Sequence, residues 1–401
     1  MSDPFILGVN YWPRRKAMYW WSNFDADEVR QEFAVIRSLG MTVVRIFLLW
    51  DDWQPTPDTV SPDCLRNLGK VLDAAVEHNL GLDVTFFTGH MSGPNWTPGW
   101  LRDLSVPPEP RRQLVSGGQL VEGWYRNYFT DPVARAAQRL LLSTVVSEYH
   151  DHPGVWMWNL GNEPDLFAIA PDQATGAAWV AEMTGLIKSL DPLHPVTCGL
   201  HVASLFGNQA LRADSTFRIT DVAVMHAYPM YVSWIENPLH PQFVPFTCAL
   251  TTALCGKPTL MEEFGGCTAL PGQPSEVWEW KTMHDIPRTQ FMASEADFAS
   301  YIAQTLPNLI DSGATGAMLW CYADYSVDLW DKPPLLDYRH ERHFGLVRPD
   351  GSLKPHAQVI KDFAATNPTV QPALRVVQID PDTFYANPAA HTERLFYEYI
   401  R

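Results

Sequence analysis

Three observations in the sequence predict a (β/α)8 barrel of the TIM type. Eight short apolar runs read as strands, helical segments separate most neighbouring runs, and several runs end abruptly in polar or aromatic clusters. Repeated strand-then-helix order implies a parallel sheet, and eight such units imply closure into a barrel with insertions. The expected division is a barrel over 1–368 and a C-terminal extension over 369–401 packed on it. That extension is expected to be a small β element, because residues 374–379 alternate apolar and polar.

Residues 5–10 form the first strand, and an aromatic loop with Tyr11, Trp12, Tyr19, Trp20 and Trp21 follows. Asp25 or Asp27 caps a helix whose Val29, Phe33, Ile36 and Leu39 share a face, and Gly40 ends it. Strand 43–49 carries Arg45. Helix 64–78 keeps Leu65, Leu68, Val71, Leu72 and Val76 on one side, and strand 82–87 runs into His90. A long connection reaches Thr130, with Trp96, Trp100 and Trp124 in it; loops of this length are uncommon unless functional. Asp131-Pro132 opens the next helix in the favoured cap-then-proline order.

The run from Val155 to Leu160, closed by Asn162-Glu163-Pro164, fits a strand buried on both faces with its polar end at a sheet rim. Helix 175–190, strand 195–200 and strand 221–225 follow, the last ending in His226-Ala227-Tyr228. After helix 247–255, the run 258–265 contains Glu262 and Glu263. A loop over 267–293 carries Trp278 and Trp280. Helix 295–312 and strand 314–320 come next, ending in Trp320, then a third long loop over 321–347 with Trp330. The final helix of the barrel starts near Pro355.

A net charge of −16 argues against a nucleic-acid or anionic-membrane partner. No apolar run approaches the length of a membrane span. The first residues lack a basic region and an apolar core, so no signal peptide and a cytoplasmic location are expected. Six cysteines show no metal-type spacing. Among thirteen histidines the one His-x-His is His150-Asp151-His152 at a helix end, so neither a metal nor another cofactor is expected. Sixteen tryptophans exceed the needs of a core this size, and flat rings pack well against the CH faces of sugars.

Two strand-end glutamates a hundred residues apart suggest one paired-carboxylate site, the requirement of glycoside hydrolysis. Glu262 is the rival of Glu263. Strand alternation is expected to put the two on opposite faces, so that only one enters the barrel mouth. With Arg45, His90, Asn162, Glu163, His226, Tyr228, Glu263 and Trp320 at strand ends, the chain resembles the retaining glycoside hydrolases of clan A, family 5 in particular. The runs Trp-Asn-Leu-Gly-Asn-Glu-Pro and Glu-Glu-Phe-Gly carry most of that resemblance.

The resemblance implies that Glu163 is the acid/base, that Glu263 is the nucleophile, and that the other six bind substrate. Arg45 and Tyr228 are expected to hold Glu263, Asn162 to meet the sugar 2-hydroxyl, and Trp320 to floor the pocket. Trp156 and Trp158 are expected to desolvate Glu163 and keep it protonated. The opening Gly-Val-Asn-Tyr-Trp-Pro is most similar to β-mannosidases and β-mannanases. Long aromatic loops around the mouth suggest a pocket, hence an exo-acting β-mannosidase on short oligosaccharides. A β-glucosidase or an endo-β-mannanase or glucanase is the alternative within the family, and an inactive sugar-binding barrel is the alternative outside enzymes.

Overall fold

The computed structural model describes residues 3–109, 112–207 and 210–401. Its central sheet is formed by β1 (Ile6–Asn10), β2 (Val43–Leu49), β3 (Gly81–Thr88), β4 (Val155–Asn162), β5 (Val196–Gly199), β6 (Ala223–Ala227), β7 (Thr259–Gly265) and β8 (Gly316–Trp320). All pair in parallel, in the order β5-β4-β3-β2-β1-β8-β7-β6. A parallel bridge from His201 to His226 joins the β5 and β6 ends and closes the barrel. Strands buried on both faces read as the continuous Val/Leu/Ile runs seen in the sequence.

One helix follows each strand: α1 (Ala26–Ser38), α2 (Pro62–Glu77), α3 (Pro132–Tyr149), α4 (Gln173–Leu190), α5 (Ala213–Ile219), α6 (Phe243–Cys255), α7 (Glu295–Asp311) and α8 (Pro355–Ala365). Most begin where side chains satisfy the orphan amides of the first turn. Asp25 accepts from the amides of Asp27 and Glu28, Asp131 from that of Ala134, and Ser294 from that of Asp297. The sequence reading contained no helix between strands five and six; α5 is only two turns long, and its buried face is Ala213, Asp214, Thr216 and Phe217, too mixed to show a period.

Two strands depart from simple alternation, and both departures shape the barrel mouth. In β7, Met261 pairs with Met225 while Glu263 pairs with His226, so Glu262 is an extra residue. A bulge of this kind turns two consecutive side chains to the same face. Glu262 and Glu263 therefore both point into the barrel, against the alternation expected from sequence. In β4 the pairing shifts in the same way between Asn159 and Asn162.

The C-terminal extension corrects the sequence expectation. Apart from one antiparallel bridge from Thr369 to Pro4 it holds no strand, and its regular structure is two helices, α9 (Pro381–Ala386) and α10 (Pro388–Tyr399). The alternating residues lack a partner edge, and Leu374 and Val376 stand 75% and 69% exposed. Helix signals decide the outcome instead: Asp380 caps α9, proline occupies the first turn of both helices, and Thr392, Leu395, Phe396 and Tyr399 share a buried face. Phe396 packs on Trp234, Phe243 and Phe246, Thr392 donates to the Leu205 carbonyl, and the Tyr385 hydroxyl accepts from the Ala213 amide. No helix of the described residues is long and apolar enough to cross a membrane.

Candidate active site

The eight site residues expected from sequence converge on one mouth of the barrel. His90, Asn162, Glu163, Tyr228, Glu263 and Trp320 line a cavity of about 410 Å³, at the small end of the range for ligand pockets. Arg45 and His226 are fully buried and in contact with the two glutamates. Glu163 ends β4 in the left-handed region, φ 47° and ψ 53°, a conformation that costs a non-glycine residue about 1–3 kcal/mol. Its amide donates to the Gly199 carbonyl, its carbonyl accepts from Leu166 and Phe167, and Pro164 starts a single helical turn. Those bonds fix the strained turn and aim the carboxyl into the cavity.

Glu263 is held at both oxygens. Arg45 Nη1 donates to Oε2 at 3.0 Å and the Tyr228 hydroxyl donates to Oε1 at 2.6 Å. Glu262 lies one layer deeper, taking bonds from Asn159 Nδ2 at 3.0 Å and His226 Nε2 at 2.8 Å, with Arg45 Nη2 at 3.5 Å. It does not line the cavity. The bulge thus gives β7 two inward carboxyls with separate surroundings, one facing the pocket and one facing the core.

The proton inventory follows from these contacts. His226 Nδ1 lies 3.0 Å from Glu163 Oε1 while Nε2 faces Glu262, so each ring nitrogen meets a carboxylate. Burial disfavours the charged ring, but Glu263, Glu163 and Glu262 outweigh it and push its pKa up to about 10. Burial also works to raise Glu163, yet His201, His226 and His90 together hold it below the ordinary carboxylate range. Burial and the Glu163 charge push Glu263 up, opposed by His226, Arg45 and Tyr228. The transferable proton therefore sits on His226, one hydrogen bond from Glu163.

Trp156 and Trp158 have no part in this. Alternation along β4 turns them outward, where the Trp158 indole donates to Asp191 and its ring lies against Phe86. Histidines rather than indoles surround Glu163, which corrects the expected desolvation by tryptophan. His90 Nδ1 lies 2.7 Å from Asn95 Oδ1, and the Asn95 amide is committed to Tyr125 and the Phe167 carbonyl. His90 Nδ1 also lies 3.2 Å from Arg112 Nη1, and its Nε2 stands 3.7 Å from Glu163 Oε2. Burial, then the Arg112 charge, lowers its pKa to about 4.

A family model described as glycosyl hydrolases family 2, TIM barrel domain, matches residues 116–366, more than half of the chain. The chain belongs to that family. Beside it stand relatives of the kind the sequence runs resemble. Mannan endo-1,4-beta-mannosidase A of Hypocrea jecorina is 26% identical over 274 residues, covering 61% of this chain and 58% of its own. The chain thus spans a little over half the length of that curated relative. A GH5_18 structure from Streptomyces cattleya, in complex with GlcNAc, superposes with a TM-score of 0.78 at 21% identity, over 99% of this chain and 90% of its own. An exo-beta-1,4-mannosidase from Opitutaceae bacterium strain TAV5 gives 0.70 at 24% identity, over 91% and 60%. At such identities these structures establish the fold.

In this family 2 barrel most of the remaining wall of the cavity comes from the three long loops. Met91, Ser92 and Gly93 follow β3. Trp280, Arg288, Thr289 and Gln290 come from a hairpin (Glu276–Lys281 and Pro287–Met292), and Tyr338, His340, Glu341 and Phe344 come from the loop after β8. Of the six loop tryptophans only Trp280 lines the cavity. Trp100 donates to the Gln54 carbonyl, Trp96 meets Tyr19, Trp124 stacks on Tyr125, and Trp278 and Trp330 flank His343. His201, at the end of β5, also lines the cavity and was missed from sequence. Its signal was present, since strand 195–200 runs straight into it. Glu163, His226 and Glu263 offer atoms within 4.8 Å of one another, as a metal site would. Each His226 nitrogen faces a carboxylate, which favours the doubly protonated ring, and an imidazolium is no metal ligand.

Proposed function

We propose that the protein is a retaining β-glycosidase that removes terminal mannose from short β-linked oligosaccharides. The observation that carries the reading is the carboxyl pair: a carboxyl oxygen of Glu163 and one of Glu263 lie within 4.8 Å of each other in one cavity. A retaining mechanism needs two carboxyls close together and facing the same bond, about 5–5.5 Å apart. Glu263, oriented by Arg45 and Tyr228, attacks the anomeric carbon, while Glu163 protonates the departing oxygen with the proton it shares with His226. The glycosyl-enzyme ester is then hydrolysed by a water that Glu163 deprotonates, which returns the proton to the Glu163–His226 pair. Asn162 commits its amide nitrogen to the His90 carbonyl and leaves Oδ1 without a protein partner, ready to accept from the sugar 2-hydroxyl.

Mannose is favoured by the mannan-cleaving relatives, and exo action by the walls that three loops raise around a small cavity. Digestion of mannopentaose, sampled early, tests both. Free mannose from the first turnover supports the reading; early dimers and trimers without mannose point to endo cleavage. No cleavage of β-mannosides alongside good cleavage of β-glucosides refutes the sugar assignment.

A further inference from the structure

The catalytic pair does not account for a third carboxyl in the same cavity. Glu341 belongs to the short 3-10 segment Arg339–His343 in the loop after β8, is 7% exposed, and lines the cavity with Glu163 and Glu263. Its Oε2 has no hydrogen-bond partner among the described residues, and His340 Nε2 stands 3.5 Å from Oε1. The Ser92 and Trp320 side chains are hydrogen-bond neighbours of the carboxyl. Two nearby polar atoms are in the same condition as Oε2: Asn162 Oδ1 and His340 Nδ1 are buried, line the cavity and lack a protein partner. Buried polar groups are ordinarily paired, and leaving one unpaired costs about 1–3 kcal/mol. Several such atoms on one cavity wall are therefore an arrangement completed by a polar ligand.

The ligand chemistry is constrained. An uncharged ring with adjacent hydroxyls can exchange two hydrogen bonds with a carboxyl and leave its CH face to Trp320. An anionic ligand group would meet Glu163 and Glu263 together and be repelled. Resting on the β-glycosidase reading, we infer that Glu341 is the specificity-determining residue that exchanges hydrogen bonds with hydroxyls of the terminal sugar remote from its anomeric carbon.

The test compares 4-nitrophenyl β-mannoside with its 3-, 4- and 6-deoxy analogues on wild type, E341A and E341M. Leaving a buried hydrogen-bonding group unpaired costs roughly 1–3 kcal/mol, so kcat/KM of wild type should fall about 5- to 150-fold for the analogue lacking the hydroxyl that is read. In E341A that ratio should shrink to about threefold, while the other deoxy ratios stay as in wild type. A residue with a merely structural role would lower all four substrates together and leave the ratios intact, and that result overturns the inference. E341M, similar in length and without a hydrogen-bonding carboxyl, serves if E341A fails to fold; its ratio should shrink in the same way, and an unchanged ratio refutes the assignment. The same ratios are read in calorimetric binding of a mannose-shaped iminosugar and its deoxy forms. If wild type cleaves no aryl glycoside, the β-glycosidase reading fails, and these affinities alone decide for or against Glu341.

Discussion

Replacing Glu262 by Gln tests how the site keeps its proton. Glu262 does not touch the cavity, but its Oε2 lies 2.8 Å from His226 Nε2, with both groups fully buried. A charge-assisted hydrogen bond of this kind contributes about 1.5–3 kcal/mol, and 1.36 kcal/mol corresponds to one pKa unit. Losing the charge while keeping an acceptor should therefore lower the His226 pKa by roughly 1–2 units from its value of about 10. Since His226 and Glu163 share one proton, the change appears as a macroscopic value of the pair. The alkaline limb of kcat/KM against pH, which reports the free enzyme's essential acid, should move down by that amount. Activity on the acid side of the limb should stay within about tenfold of wild type. A melting curve shows whether the buried substitution is tolerated. An alkaline limb that does not move, in a folded variant, refutes the claim that Glu262 holds the proton on His226.

Two further predictions concern stability and metal. Burial pushes the Glu341 carboxyl from 4.5 up to about 8, so the folded chain binds a proton that the unfolded chain releases. The resulting stability is complete below about pH 4.5 and is lost as pH rises through about 8, with a ceiling of about 5 kcal/mol at 1.36 kcal/mol per unit. E341Q should therefore gain on wild type in melting temperature between pH 5 and pH 9, and a constant difference would refute the shift. Chelator treatment should leave activity unchanged, because the carboxylates on either side of His226 favour its doubly protonated form, which binds no metal; activity lost and then restored by a divalent ion would contradict this.

Legibility in the sequence divides along a physical line. The barrel strands are buried on both faces, so their apolar runs stand out without reference to neighbours, and the polar residues that close them mark the rim. That is why Asn162, Glu163, His226, Tyr228, Glu263 and Trp320 stand out as strand-end residues, while the roles given to them and to Arg45 came from the family resemblance. The bulge at Glu262 depends on pairing with β6 and β8 and leaves no trace in a run of consecutive residues. The Glu163 environment was misread because alternation turns Trp156 and Trp158 away, while the histidines that replace them come from three other strand ends. Glu341 sits in a loop with no periodicity, and only its burial beside Glu163 and Glu263 singles it out. In the tail, alternation suggested a strand, but caps and a helical apolar face prevailed because no sheet edge was within reach.

Trapping the covalent intermediate tests the central claim most directly. A 2-deoxy-2-fluoro-β-mannosyl fluoride slows both steps, the second more than the first, so a double-displacement enzyme accumulates its glycosyl ester. Mass spectrometry of the digested protein should find one sugar on the peptide containing Glu263, at that residue, and none on the Glu263→Gln variant. A label on Glu262 would mean that the deeper carboxyl is the nucleophile. Turnover without any label, with inverted product by NMR, would contradict the retaining pair altogether.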